Sequence, residues 1–178
     1  KAAVETKAHD AKDLISQETS RLERILQEQE ETLRESQQNS EAFKKIGDAI
    51  YLHLNDIQLL LQRIIEEKRG DRDWAQISET LKKEKSESQA PAVFFEAIDT
   101  NALTVRVSVE GESFGLDLKQ SAQKSASDFY DSAKKARRKA EGAQAAIAKV
   151  RDQVTKSKFA EAEKVERAAE LPTVARRR

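Results

Sequence analysis

The feature that most constrains this chain is a heptad seam in its second half. Phe129, Ala133, Ala136, Ala140, Ala143, Ile147, Val150 and Val154 follow one another in alternating steps of four and three. That spacing keeps one stripe of an α-helix facing a partner over more than three heptads. Most of the central seam positions are Ala, so the helix axes can approach closely. After Val154 the register slips, and Phe159, Ala162 and Val165 define a new, weaker stripe. Pro172 should end the helix, because its ring nitrogen cannot donate a backbone hydrogen bond.

A helix with such a stripe needs a counterpart, and the first part of the chain offers one. Residues 5–46 contain neither Gly nor Pro. Ile15, Leu22, Leu26 and Leu33 recur in steps of seven, four and seven, flanked by Leu14 and Ile25. A polar stretch from Arg34 to Glu41 interrupts the stripe, which Phe43, Ile46 and Ile50 resume. A helix of some 40 residues is on the order of 60 Å long. Two long helices in one chain favour an intramolecular antiparallel pair, since each partner is already tethered to the other. A parallel homodimer is the competing arrangement, but the Ala seam lacks the Ile/Val and Leu pattern of parallel dimers. The expected fragment is monomeric.

Between the seams the pattern changes. Ile50, Leu54, Ile57, Leu61 and Ile64 keep a helical period, so the first helix should run on to about Lys68, with Gly47 as a joint. Gly70 ends that stretch. Asp73 and Gln76 have capping-box spacing for a helix whose buried face is Trp74, Ile77 and Leu81. Pro91 suits the first turn of a short helix through Val93, Phe94 and Phe95, and a strand fits as well. Leu103, Val105, Val107 and Val109 alternate with polar residues as a half-buried strand does, and Gly111 turns the chain back into Phe114, Leu116 and Leu118. A lone hairpin is marginal in water, so it must pack on the neighbouring helices. The expected fold is mainly α with a small α+β insert. It is a long antiparallel coiled-coil hairpin carrying a middle domain, with a β-hairpin, at its turn. The divisions are a first coiled-coil helix at 1–46, the middle domain at 47–118, a returning helix at 119–171 and a tail or linker at 172–178.

Composition agrees with narrow seams: 38% of residues are apolar and 36% charged. Cysteine is absent, which removes disulfides and thiolate metal sites and fits a cytoplasmic protein. No apolar run approaches the roughly 18 residues that span a bilayer, so no membrane partner is expected. Without an initiator Met, and running out in Arg176, Arg177 and Arg178, the chain reads as a piece of a longer protein.

Catalytic signals are missing. His9 sits near an end and His53 lies mid-helix between Leu52 and Leu54, neither with a second ligand at metal spacing. The five glycines are scattered, so no phosphate-cradling loop forms. The expectation is a binding and positioning module, not an enzyme, with no cofactor.

Charge is where the chain is uneven. The formal net charge is zero, yet residues 47–118 carry 8 basic and 14 acidic groups while residues 119–158 carry 11 and 4. Lys134, Lys135, Arg137, Arg138 and Lys139 concentrate the positive charge around the seam. Five like charges over two turns repel one another unless a polyanion neutralises them, and phosphate backbones are the natural one. Lys119, Lys124, Lys149, Arg151, Lys156 and Lys158 extend the basic character. The alternative is salt-bridging to Glu and Asp of the first helix. No stacking aromatic interleaves with the cluster in sequence, which argues against base-specific reading.

Gly47-Asp48-Ala49-Ile50-Tyr51, Asp73-Trp74-Ala75-Gln76-Ile77 and Ala90-Pro91-Ala92 resemble the middle domain of the NFACT family. Leu116-Asp117-Leu118, Ser121-Ala122, Ala126, Phe129-Tyr130, Lys134-Lys135, Lys139 and Gly142 look like that family's return into its coiled coil. The resemblance covers nearly the whole chain, is strongest from Gly47 to Val154, and is closer to the archaeal and eukaryotic branch than to the bacterial one. Ser125 departs from it, where the family usually has Asn.

The resemblance implies a factor of the NEMF and RqcH type, acting in ribosome-associated quality control. Such factors bind large ribosomal subunits that hold a stalled peptidyl-tRNA, recruit tRNA and support C-terminal alanine tailing. It further implies that this piece is the arm reaching toward the stalk base and ribosomal RNA, with tRNA handled by domains outside it. Lys134, Lys135, Arg137, Arg138 and Lys139 would be its RNA-binding residues. A generic intramolecular spacer or dimerisation arm without RNA binding is the alternative.

Overall fold

The structure is a computed structural model that describes residues 2–169, with side chains described at residue 10 and from 13 to 167. Pro172 and the 172–178 tail lie outside the described residues, as does the side chain of His9. The protein is mainly helical with one small antiparallel sheet. In order, the elements are α1 (Ala2–Leu52), α2 (Leu54–Arg69), α3 (Trp74–Ser86), a 3₁₀ turn (Ala92–Phe94), β1 (Phe95–Asp99), β2 (Thr104–Val109), β3 (Glu112–Asp117) and α4 (Ala122–Ala169). They form two compact units, one of residues 1–36 with 138–178 and one of residues 37–137.

In the unit of 37–137, the core is apolar and closed. Ile50, Ile57, Leu60, Ile64, Ile77, Leu81, Phe95, Val105 and Val107 have no exposed surface. α2 and α3 cover one face of the sheet, and the expected packing of the hairpin on these helices is what the core shows. Where the sequence suggested two strands, there are three, in the order β1-β2-β3. Ala92–Phe94 is a helical turn and Phe95–Asp99 a strand, so the segment after Pro91 is both in succession. β1 carries a bulge: Phe95 pairs with Val107, but Ala97 pairs with Arg106. The extra residue, Glu96, lets Phe95 and Ile98 both reach the core across an odd spacing. β2 and β3 join through Glu110 and Gly111, both at positive φ, as a two-residue hairpin turn demands.

Three local expectations need correction. The first helix runs without a break through Gly47. It breaks at His53, whose φ of −116° and ψ of 30° leave helical geometry for one residue. His53 is therefore a junction residue rather than a mid-helix one. Its Nε2 lies 2.8 Å from Glu110 Oε1, and its ring stands 5.0 Å from that of Phe94. Asp73 does occupy the cap position of α3, but its side chain makes no capping hydrogen bond. A guanidinium ties α2 to α3 instead. Arg63 donates to both carboxylate oxygens of Glu84, through Nη2 at 2.6 Å and through Nη1, and to Glu67 at 3.0 Å. This fork holds the Glu84 carboxyl below its usual range.

In the unit of 1–36 and 138–178, α1 and α4 lie side by side with opposite directions. Glu23 meets Lys158 and Glu30 meets Arg151, each at 2.7 Å, while Thr19 Oγ1 meets Ser157 Oγ at 2.6 Å. The α4 seam is seen as read: Ala140, Ala143, Ile147 and Val154 are buried and Val150 half-buried. The register slip has a different outcome. A step of five turns Phe159 roughly 140° from Val154 on a helix of 3.6 residues per turn. Phe159 is accordingly 75% exposed, and Ala162 and Val165 are exposed with it.

The α1 seam is not broken, contrary to its apolar pattern. Ile15, Thr19, Leu22, Leu26, Gln29, Leu33, Ser36, Ser40, Phe43, Gly47 and Ile50 are all buried or half-buried. They recur in steps of four and three through the stretch that looked polar. Small hydroxyl side chains take buried places in the seam, Ser36 within that stretch at 3% exposure and Thr19 ahead of it at 7%. Each hydroxyl needs an acceptor to be covered at low cost. Thr19 donates to Ile15 O at 2.9 Å, and Ser40 to Ala133 O at 3.0 Å.

Candidate functional site

The basic cluster sits on α4 because that helix starts firmly and runs without interruption. Ser121 caps it, its Oγ accepting from Lys124 N at 3.1 Å. Gln58 Oε1 accepts from Ala122 N at 2.8 Å and ties the first turn to α2. From there Lys134, Lys135, Arg137, Arg138 and Lys139 all emerge exposed. Lys134 and Arg138, and Lys135 and Lys139, are four apart and therefore neighbours on the helix surface.

Pairing sorts the basic residues into two groups. Arg151 and Lys158 are bound to Glu30 and Glu23 of α1, so for these two the salt-bridge alternative holds. Lys124 and Lys156 pair with Asp128 and Asp152 on their own helix, and each ammonium is held above its usual range by that hydrogen bond. Lys134 lies 3.9 Å from Asp131, a loose and exposed contact. Among the described residues, Lys135, Arg138 and Lys139 form no ion pair. Lys135, Arg138 and Lys139 thus carry charge that no described residue pairs with.

Sequence reasoning missed the aromatics beside this cluster. Tyr130 stands one turn before Lys134 on α4, and Tyr51 comes from the end of α1. Their rings stack at 5.8 Å with 28° between planes. Tyr130 is fixed from two further sides. Its hydroxyl donates to Asp48 Oδ1, a bond that pushes its phenol up to about 12. Its ring also lies flat on Gly47, where an added Cβ would come within 2.9 Å of Cζ. Here glycine serves close approach, not bending. An open groove of about 480 Å³ runs past these rings, lined by Ser40, Lys44, Tyr51, Tyr130, Asp131 and Lys134 among others. The signal was available as Tyr130 four residues before Lys134, but Tyr51 and Lys44 arrive only through the tertiary fold.

Among the described residues, no group of three or more His, Asp or Glu side chains is placed to hold a metal ion. Nor is any described helix long and apolar enough to cross a membrane. No known protein family and no curated protein matches the chain.

Proposed function

We propose that this chain is the coiled-coil and middle-domain arm of an NFACT-type factor in ribosome-associated quality control. In this reading α1 and α4 supply the helices of the coiled-coil hairpin, and residues 47–118 are the middle domain. The arm docks on large ribosomal subunits carrying stalled peptidyl-tRNA, by ribosomal RNA near the stalk base, and supports alanine tailing in the cytoplasm. Its task is binding and positioning, with tRNA handled by domains beyond this chain. The observation that carries the reading is the exposed cation cluster, in which Lys135, Arg138 and Lys139 have no ion pair among the described residues. Charge left unneutralised on a helix costs stability by itself, and a phosphate backbone removes that cost.

The test is charge reversal of Lys134, Lys135, Arg137, Arg138 and Lys139 in the full-length protein, followed by co-sedimentation with large subunits over a salt series. Each lost phosphate contact should lower the slope of log affinity against log salt by about 1. Unchanged subunit binding would sink the role given to the cluster. A second reading, a spacer without RNA binding, is favoured by the Glu23–Lys158 and Glu30–Arg151 pairs, which use basic residues internally. It expects no salt-dependent subunit binding at all. Light scattering separates the architectures: a concentration-independent monomer fits the intramolecular pair, and a stable dimer contradicts it.

A further inference from the structure

We propose that the groove beside the Tyr51–Tyr130 stack binds one unpaired ribonucleotide, its base stacked on Tyr51 and its phosphate held by Lys44 and Lys134. This rests on the reading of the chain as an RNA-docking arm and gives that arm a defined contact. A groove of about 480 Å³ falls within the usual range for small-ligand sites. Its wall supplies the two things a single-stranded nucleotide needs, a flat aromatic platform and cations beside it. Tyr51 is 44% exposed although Tyr130 already stacks on it, so the ring offers surface that the fold does not use. Lys44 and Lys134 line the same groove, as does Arg137.

The platform is also formed before anything binds. Tyr130 is bonded to Asp48 and seated on Gly47, and Tyr51 stacks on it in turn. A preformed surface loses little side-chain freedom on binding. The remaining polar groups distinguish a nucleotide from an acidic peptide. Asp131 is part of the wall, 3.9 Å from Lys134, and would repel a run of carboxylates. A nucleotide brings one charge, and its base amino groups can donate to Asp131. A duplex keeps its bases stacked on one another and cannot present one to Tyr51, so the site selects single strands or splayed-out bases.

The experiment uses the whole chain and two fluorescently labelled probes, a short single-stranded RNA and a duplex of the same length. Tyr51→Ala should weaken single-strand binding by about ten-fold, in line with the loss of one base stack. Duplex binding, which needs only phosphate contacts, should change by less than about two-fold and doubles as the check on folding. Tyr51→Phe keeps the ring and should bind like the parent. The proposal is overturned if Tyr51→Ala leaves single-strand affinity unchanged, if it lowers both probes alike, or if Tyr51→Phe behaves as Tyr51→Ala. Tighter, Tyr51-dependent binding of polyglutamate would overturn it in favour of an acidic protein partner. Charge reversal at Lys135, Arg138 and Lys139, outside the groove lining, keeps the two readings apart. If that variant loses subunits while Tyr51→Ala changes nothing, docking stands and the nucleotide site falls. If it keeps subunits while Tyr51→Ala still discriminates the probes, the nucleotide site stands and the docking role of the cluster falls.

Discussion

In the unit of 37–137, Phe95, Ile57, Leu60 and Ile64 show no exposed surface. In the unit of 1–36 and 138–178, the most covered apolar side chains are Ala143 at 4%, Ala140 and Ile147 at 6% and Val154 at 9%. The first unit gains stability by removing large side chains from water, at about 25 cal/mol per Å² of apolar surface. The second buries smaller side chains and depends on its Ala-rich seam, small hydroxyls such as Ser36 and Thr19, and exposed ion pairs worth about 0–1 kcal/mol each. A narrow seam leaves most of a helix circumference to solvent, so α4 can carry cations that its own fold does not need.

The closed core is the more sensitive of the two units to loss of a single side chain. Phe95→Ala removes a fully buried ring beneath the sheet and should cost about 3–5 kcal/mol. Amide hydrogen exchange should then show lost protection in α2, α3 and the strands, with protection around Ile147 retained. Loss of protection in both units together would mean that they do not differ as described. The seam answers to the opposite change. Leu is normally welcome in a helix–helix seam, yet Ala143→Leu should destabilise by about 1–3 kcal/mol, because the space is already filled by the approaching helix. Urea denaturation followed by circular dichroism reads it, and a gain in stability would show the seam to be loosely spaced.

How legible these regions were in the sequence depends on the chemistry of each position. The α4 seam could be read because Ala, Ile and Val repeat without error, and each position from Phe129 to Val154 is at least half-buried. The α1 seam could not, because Thr19, Ser36 and Ser40 count as polar until Ser36 is seen to be buried and the Thr19 and Ser40 hydroxyls to bond to Ile15 and Ala133 carbonyls or to Ser157. β1 was half visible: the bulge at Glu96 destroys the alternation that identifies a strand. For the candidate site, the cations were plain in the sequence. The Tyr51–Tyr130 stack was not, since residues 79 apart in sequence meet only when α1 and α4 are placed. Their neighbours in the family-like motifs, Gly47 and Asp48, turn out to be the groups that seat and bond Tyr130.

The smallest expected effect is the sharpest probe of that seating. Gly47→Ala in a mid-helix position should gain about 0.8–1 kcal/mol from helix propensity alone. Here the new Cβ would lie 2.9 Å from Tyr130 Cζ, so the ring must move off Asp48 and Tyr51. The hydrogen bond and the stack lost in that move outweigh the gain, and a net loss of about 1 kcal/mol follows. A titration identifies the cause. The phenol of Tyr130 is raised to about 12, first by its hydrogen bond to Asp48 and then by burial. A raised value stabilises the fold fully below the ordinary 10.0 and is lost as pH climbs from there through 12. Displacing the ring should return the phenol toward 10.0 and flatten that part of the stability profile, both visible by tyrosinate absorbance and denaturation at each pH. In the double variant Gly47→Ala/Tyr130→Ala nothing remains to clash, so the added penalty of Gly47→Ala should vanish. Persistence of that penalty would mean that Gly47 is required by something other than the Tyr130 ring.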